Sequence, residues 1–472
     1  MPVILNIEES DFAMIKTKRI LSTLTLSALS AALMLQALPA GAQSAAQVAA
    51  QKDQFREMEE FLAVYQKVKA RYVDKVDDKQ LMEGAISGML ASLDPHSAFL
   101  DKNDFENLQT QIDGEYGGLG LSVTLDQGAV KVIAPTADTP ADKAGIKSGD
   151  YITHLDGKLI VGGTLDEAVD AMRGAPGTAI KLTIVRLGRD EPFDLSLTRA
   201  VIDLKPVKWK VQDKIGLITI SGFSTDTGAD VVQAIQGIER ELGAKPLGFI
   251  VDLRSNPGGL LDEAVAVSDA FLDSGEIVSE RGRDKGDVQR WFAESRVPGD
   301  AAKGAPIIVL VDAGSASASE IVAGALQDHH RALVMGEQSF GKGSVQNVLP
   351  LSRGAGLRLT IARYHLPSGR SVQEGGIKPD IQVPQISDPD YAKRVSLRET
   401  DLRRHLVNEL QATDKELEID AAKDPRFSDT VEQLKAKGIE DFQLHYAMET
   451  LQRLGTNTMK LAKKADKGTA RN

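Results

Sequence analysis

Three serines at alternating positions, Ser315, Ser317 and Ser319, stand between an apolar run, Ile307 to Asp312, and a stretch of helical spacing, Ala318 to His330. One strand-like run later, Ala332 to Glu337, comes a lysine held between glycines, Phe340-Gly341-Lys342-Gly343. A strand that turns sharply through small residues into a helix exposes a side chain above a sheet and aims the first helical amides at the same spot. A serine in that turn and a lysine nearby make a nucleophile and a candidate base. Lysine acts as a base only when neutral, so its ammonium form must be destabilised by burial or by nearby positive potential. The segment Ser344-Val345-Gln346-Asn347-Val348 alternates as a strand and puts Gln346 on the face of Lys342. An amide there can orient the amine without raising its pKa as a carboxylate would. Spacing alone does not choose among the three serines.

Other chemistries fit these residues less well. Gly336 to Gly343 nearly spells a phosphate-binding loop, but Gly343 stands where a Ser or Thr would hold magnesium, and a strand pattern follows instead of a helix. His329 and His330 suggest a Ser-His-Asp triad, yet they lie at the far end of the helix, about 18 Å from the serines at 1.5 Å per residue, and are read as caps. Upstream, a buried-type strand from Leu247 to Leu253 runs into Arg254-Ser255-Asn256-Pro257-Gly258-Gly259. Alone that is a turn. Beside a nucleophile, a glycine amide with no side chain in the way can hold a developing oxyanion, worth about 3 kcal/mol in the transition state.

The chain of 472 residues, 42 % of them apolar, is long enough for two to four domains. A net charge of −11 and 5 % aromatic residues exclude a nucleic-acid surface. There are no cysteines, which removes disulfides, thiolate metal sites, a cysteine nucleophile and a lipid-acceptor Cys. Lys16, Lys18 and Arg19, the apolar stretch Ile20 to Leu38 and the small residues Ala40-Gly41-Ala42 read as an export signal over 1–42. The acidic residues Glu8, Glu9 and Asp11 ahead of it point to Met14 as the true start; an uncleaved anchor is the alternative.

The stretch 43–112 is helical in pattern, with Phe61, Val64, Tyr65 and Val68, then Leu81, Ala85, Ile86, Met89 and Leu90, closing on Leu93-Asp94-Pro95-His96-Ser97. His96 has no partner His or Cys nearby and reads as a capping or packing residue. Residues 113–204 form a small β-rich unit: Gly117-Gly118-Leu119-Gly120-Leu121 leading into a strand, strands Ala129 to Ile133, Asp150 to Leu155 and Ala179 to Val185, and helices Pro140 to Ile146 and Leu165 to Met172. With Ala144-Gly145-Ile146-Lys147-Ser148-Gly149-Asp150, this unit resembles a PDZ domain. The resemblance implies that the amides of Leu119, Gly120 and Leu121 hold a terminal carboxylate while a strand edge pairs with an extended peptide. Arg173 is either a sensor of that ligand or a solvated helix-end charge. From 205 to 386 strands and helices alternate, with Ile215 to Ser221, Ala229 to Leu242 and Ala264 to Leu272 among them. Residues 387–472 are charged and helical in pattern, with Leu402, Leu406 and Leu410 on one face, a region suited to packing on the core, pairing subunits or docking an adaptor.

Taken together, Asp252 to Gly259, Gly314 to Ile321, Gly336-Glu337, Phe340 to Gly343 with Gln346, Tyr364 to Ser371 and Gly376 to Asp380 resemble the carboxyl-terminal processing peptidases, or tail-specific proteases, over about Phe61 to Val383. The resemblance implies a mixed α/β fold: a helical N-terminal region, an inserted PDZ domain, a crotonase-like α/β catalytic core and a helical C-terminal tail. It places the nucleophile at Ser317, the base at Lys342, its orienting partner at Gln346 and the oxyanion donors at the amides of Ala318 and Gly258. It implies an exported, periplasmic endopeptidase without cofactor or metal. Its substrates would be proteins or peptides with free C-termini; an activator or adaptor and self-association are open. The rival readings are a non-catalytic PDZ scaffold, which would need none of the serine, lysine and glutamine, and a non-peptidase acyl hydrolase, which would not need the PDZ unit.

Overall fold

The computed structural model describes residues 45–454 apart from 127, 285, 295–298, 394–396 and 408–424. The expected export signal and the residues around Leu410 lie outside them. The chain divides into two compact units, Met1–Leu81 and Met82–Asn472. In the first, the helix Ala45–Arg71 carries Lys69, whose amine pairs with Asp78. Among the described residues no helix is long and apolar enough to cross a membrane.

The second unit is mixed α/β, as expected. Its centre is a six-stranded sheet in which Val207–Gln212 runs antiparallel to Ile215–Ile220, followed in parallel by Gly248–Asp252, Ile307–Val311, Leu333–Gly336 and Ile381–Gln382. All five residues of Ile307–Val311 are buried because both faces of the sheet are covered. Ile307, Val309 and Val311 face a core made with the helices Thr227–Leu242, Leu261–Asp269 and Ala318–Asp328. Ile308 and Leu310 face a second core closed by Phe427, Leu434, Phe442, Met448 and Leu451 from the C-terminal part of the chain. That part therefore packs on the central sheet. Its helices are Val431–Ala436 and 442–454, whereas around Leu402 the expected helix is replaced by a single 3-10 turn, Glu399–Asp401. Tertiary contacts of Glu399, described below, override the local apolar period there.

A second sheet, five-stranded and antiparallel, joins Ala98–Leu100, Ser344–Pro350, Gly275–Arg281 and Val288–Ala293 to the ten-residue strand Gly356–His365. The lysine segment thus sits on a different sheet from the serine turn. Between Glu115–Gly118 and Ala200–Asp203, which pair as a two-stranded ribbon, hangs the small β unit. Its sheet has Leu121–Asp126 at one edge, paired among the described residues only with Ala129–Pro135, and the helix Leu165–Met172 closes its apolar core of Leu119, Val130, Ile152, Leu182 and Ile184.

Candidate active site

Ser317 occupies the cap of the helix Ala318–Asp328 with φ 55° and ψ −113°, a left-handed conformation that a non-glycine residue adopts only under constraint. The constraint is visible on both sides. Upstream, Asp312 accepts from the amides of Gly314 and Ser255 at 2.9 and 2.7 Å, and the Ser315 hydroxyl donates to the Leu253 carbonyl at 2.8 Å. Downstream, the Ser319 hydroxyl donates to the Asn256 carbonyl at 2.9 Å. Ser315 and Ser319 are both wholly buried and wholly used. Ser317 is half-buried, and its hydroxyl donates no hydrogen bond among the described residues.

Beneath this turn lies a carboxylate that the sequence reading passed over. Glu320 is completely buried and takes four donors: the amides of Ser317 at 2.8 Å and Lys342 at 3.0 Å on one oxygen, the Ser339 hydroxyl at 2.6 Å and the Gly341 amide at 2.8 Å on the other. It thereby bolts the serine turn to the lysine loop. Burial pushes its pKa up to about 7 against the pull of those donors, the Ser339 hydroxyl foremost. The pattern Ser317-Ala318-Ser319-Glu320 is a serine followed three residues on by glutamate, the signature of a helix start, and could have flagged it. Tyr364, also buried, sets its hydroxyl 3.1 Å from the Ser317 carbonyl and within reach of the Lys342 carbonyl, and Phe340 donates its amide to Ser315 at 3.0 Å. Serine and lysine backbones are therefore adjacent although they belong to different sheets.

Lys342 continues into the strand Ser344–Pro350, not a helix, which removes the phosphate-loop reading. Its two glycine neighbours pack against the backbone of Gln373 to Gly376, as expected for a shielded amine. Burial lowers the lysine pKa to about 8, with Arg358 acting in the same direction, while Glu399, Glu320 and Asp94 oppose the shift. Lys342 Nζ makes no hydrogen bond among the described residues. The Gln346 amide nitrogen donates to the Ser344 hydroxyl at 2.9 Å and the Thr360 hydroxyl at 3.3 Å.

The glycine pair stands against the serine turn. Gly258, at φ 101°, comes so close that a Cβ on it would lie 2.9 Å from Ser317 Cβ and 3.0 Å from the Ala318 nitrogen. Its amide, however, is taken by Asn256 Oδ1 at 2.9 Å. The Ala318 amide, at the first helical position, has no acceptor within the helix. His329 Nε2 donates to the Glu276 carbonyl, 2.7 Å away, at the far end of the serine helix, in keeping with a capping role and not a triad. His96 is neither a cap nor simple packing: its Nε2 lies 2.9 Å from both oxygens of the buried Glu399, which in turn accepts from Gln373 at 3.0 Å. Gln373 Oε1 then holds the Gly343 amide at 2.9 Å.

In the small β unit, the carbonyls of Leu119 and Gly120 accept from Ala141 and Thr136 at 3.0 and 2.8 Å, which fixes the Leu119 to Leu121 loop beside the edge strand. Arg173 is not a solvated charge. It donates to Asn107 Oδ1 and lies 5.3 Å over the Tyr116 ring.

Comparison with known proteins gives the family. Residues 214–383 match the model of peptidase family S41, 131–186 that of the PDZ domain, and 28–104 that of the activating protease CtpB N-terminal domain. A carboxy-terminal-processing protease of Bartonella bacilliformis is 48 % identical over 367 residues, 77 % of this chain and 84 % of that protein. The carboxy-terminal processing protease CtpA of Bacillus subtilis is 36 % identical over 333 residues, 70 % of this chain and 69 % of its own. A solved photosystem II D1 C-terminal processing protease is 30 % identical with a TM-score of 0.41, covering 73 % of this chain and 98 % of that one.

Proposed function

The chain belongs to the carboxy-terminal processing serine proteases of peptidase family S41, and on that premise we propose that it cleaves exported proteins near their C-termini with Ser317 as nucleophile and Lys342 as base. The observation that carries the proposal is the contrast among the three serines: two are buried and fully bonded, while Ser317 is half-open, strained and tied through Glu320 to the backbone of a lysine whose pKa lies near 8. A neutral amine at that pKa is populated at neutral pH and still accepts a proton readily.

The neutral Nζ takes the Ser317 proton as Oγ attacks the scissile carbonyl, and the oxyanion settles between the Ala318 amide and the glycine pair. For Gly258 to donate, its amide leaves or shares its bond with Asn256 Oδ1. The lysine ammonium returns its proton to the departing amine, and water, deprotonated by the same lysine, hydrolyses the acyl-enzyme. The substrate tail adds to the free edge of Leu121–Asp126 with its carboxylate at the amides of Leu119, Gly120 and Leu121, which raises the local concentration of the scissile segment. Arg173, held by Asn107 and Tyr116 beyond the end of the PDZ helix, is the candidate for sensing an occupied groove. The leader over 1–42, with Met14 as its true start, sends the protein to the periplasm.

The test is to incubate the mature protein, with Ser317→Ala and Lys342→Ala beside it, with an unfolded protein bearing an apolar tail, and to follow products by mass spectrometry. Cleavage by the parent alone is expected; equal cleavage by all three would remove both residues from the chemistry. The N-terminal mass of material recovered from the periplasm checks the leader.

A further inference from the structure

The chain of hydrogen bonds behind Gln346 has a direction. Asp94, in the turn after the N-terminal helices, is 4 % exposed and accepts at Oδ1 from the amides of His96 and Ser97, both at 2.8 Å, and from the Thr360 hydroxyl at 3.1 Å; its Oδ2 accepts from the Ser97 hydroxyl at 2.8 Å. A carboxylate so supplied with donors only accepts. Burial works to raise its pKa, but the hydrogen bonds from Ser97, His96 and Thr360 outweigh it and the net shift is downward, so it is ionised at neutral pH. The one proton of the Thr360 hydroxyl is thus spent on Asp94, and toward Gln346 the same oxygen can only accept. That favours the Gln346 nitrogen on the side of Thr360, where it stands at 3.3 Å while also donating to the Ser344 hydroxyl at 2.9 Å, and leaves the amide oxygen as the free end.

The backbone is arranged to permit this. Gln346 and Thr360 are cross-strand partners, and a bulge at this point sets Val345 and Gln346 opposite Ala362 and Thr360 with Ile361 looped out between. The same turn braces the strand at two further points: the Ser97 hydroxyl accepts from the Thr360 amide at 3.1 Å, and Arg358 Nε donates to the His96 carbonyl at 2.9 Å.

We propose that Thr360, polarised by Asp94, is a positioning residue for the cleavage reaction: it fixes the amide of Gln346 with its carbonyl oxygen available to Lys342. An oxygen there accepts one N–H of the neutral amine and turns the lone pair toward Ser317; a flipped amide would present N–H and occupy that lone pair. The proposal rests on the reading of Lys342 as the base. The charged groups acting on Lys342 besides Asp94 are Arg358, Glu399 and Glu320, and none is altered by a change at Thr360.

The experiment compares Thr360→Val, Thr360→Ala and Thr360→Ser with the parent and with Lys342→Ala, in kcat, KM, melting temperature and the pH dependence of kcat/KM on an unfolded tailed substrate. Thr360→Val and Thr360→Ala are expected to lower kcat about tenfold with KM unchanged, part of the roughly 10²- to 10⁴-fold that a positioned base supplies. The acidic limb of the profile should move to lower pH, because an amide N–H facing the amine favours its neutral form. Thr360→Ser keeps the hydroxyl and should behave as the parent. A fall in melting temperature with kcat and the acidic limb unmoved would make the network merely structural and overturn the proposal, as would a serine variant as slow as the valine one. If Lys342→Ala stays active, the Ser317–Lys342 reading itself fails; if it is inactive while the Thr360 variants match the parent, only the positioning role fails.

Discussion

The PDZ unit and the catalytic centre obey different rules. The PDZ core is apolar throughout, its helix Leu165–Met172 starts with a reciprocal Thr164–Glu167 cap, and its buried charge, Asp150, is matched by Arg186 at 2.6 and 2.7 Å. The catalytic centre buries Glu320, Glu399, Gln373, Asn256, Ser315, Ser319 and Ser339, each with no exposed surface, and holds Ser317 in a left-handed conformation. Burying such groups costs free energy unless each is bonded. The comparison teaches that one region is built for stability from neighbours in sequence, and the other for reactivity from residues far apart.

The sharpest way to break that contrast is at Lys342. Lys342→Met should reduce kcat/KM about a thousandfold or more, the reach of a positioned base, yet raise the melting temperature at pH 7. The sign follows from the shift. The folded pKa, about 8, lies below the ordinary lysine value of 10.5, so the unfolded chain binds more protons between those values and stability rises with pH across them. The cost of the buried ammonium is full below about pH 8, and the gain from methionine should fade as pH approaches 10.5. Thermal melts at pH 7 and 10 check it.

Glu320→Gln comes next. One oxygen becomes an amide facing backbone N–H donors, so kcat should fall about a hundredfold and stability by about 1–3 kcal/mol for the orphaned donors. Unchanged activity would mean that the link between serine turn and lysine loop is dispensable. In the PDZ unit effects should be selective and smaller. Gly120, at φ 76°, has Thr139 where a Cβ would lie, 2.4 Å away. Gly120→Ala should raise KM about tenfold for a substrate with a free C-terminus, the loss of a charge-assisted contact or two, and leave an amidated short peptide unaffected. The smallest effect is expected at Thr164→Ala, which removes the cap and about 1 kcal/mol from the PDZ unit, with kcat unchanged.

The same division governs what the sequence disclosed. Helix Leu165–Met172 and strand Ala179–Val185 have the bounds that periodicity predicts, and the parallel strands Ile215–Ile220, Gly248–Asp252 and Ile307–Val311 differ from expectation by a residue or so at their ends. The antiparallel sheet was legible only at Ser344–Pro350. Ala98–Leu100 pairs with Gly356–Arg358 across the whole PDZ insertion, and no local pattern announces such a partner. At the site, residue types and spacing pointed to one of Ser315, Ser317 and Ser319 with Lys342 and Gln346, and the family resemblance singled out Ser317; the three-dimensional contacts then separate Ser317 from Ser315 and Ser319 by the fate of their hydroxyls. Glu320 was readable as a helix-start glutamate, although not as the hub of two loops. The roles of Asp94, Thr360 and Glu399 depend on partners hundreds of residues away, and polar residues carry no periodic signal. Helical spacing around Leu402 misled because Glu399 is held by His96 and Gln373.

The central claim, that Lys342 activates Ser317, is tested most directly by the rate at which a fluorophosphonate modifies Ser317 as pH is varied, with the adduct located by mass spectrometry. The rate should rise through an apparent pKa near 8 and level off above it, and Lys342→Met should abolish the rise. A rate independent of pH, or a rise that survives in Lys342→Met, would contradict the account.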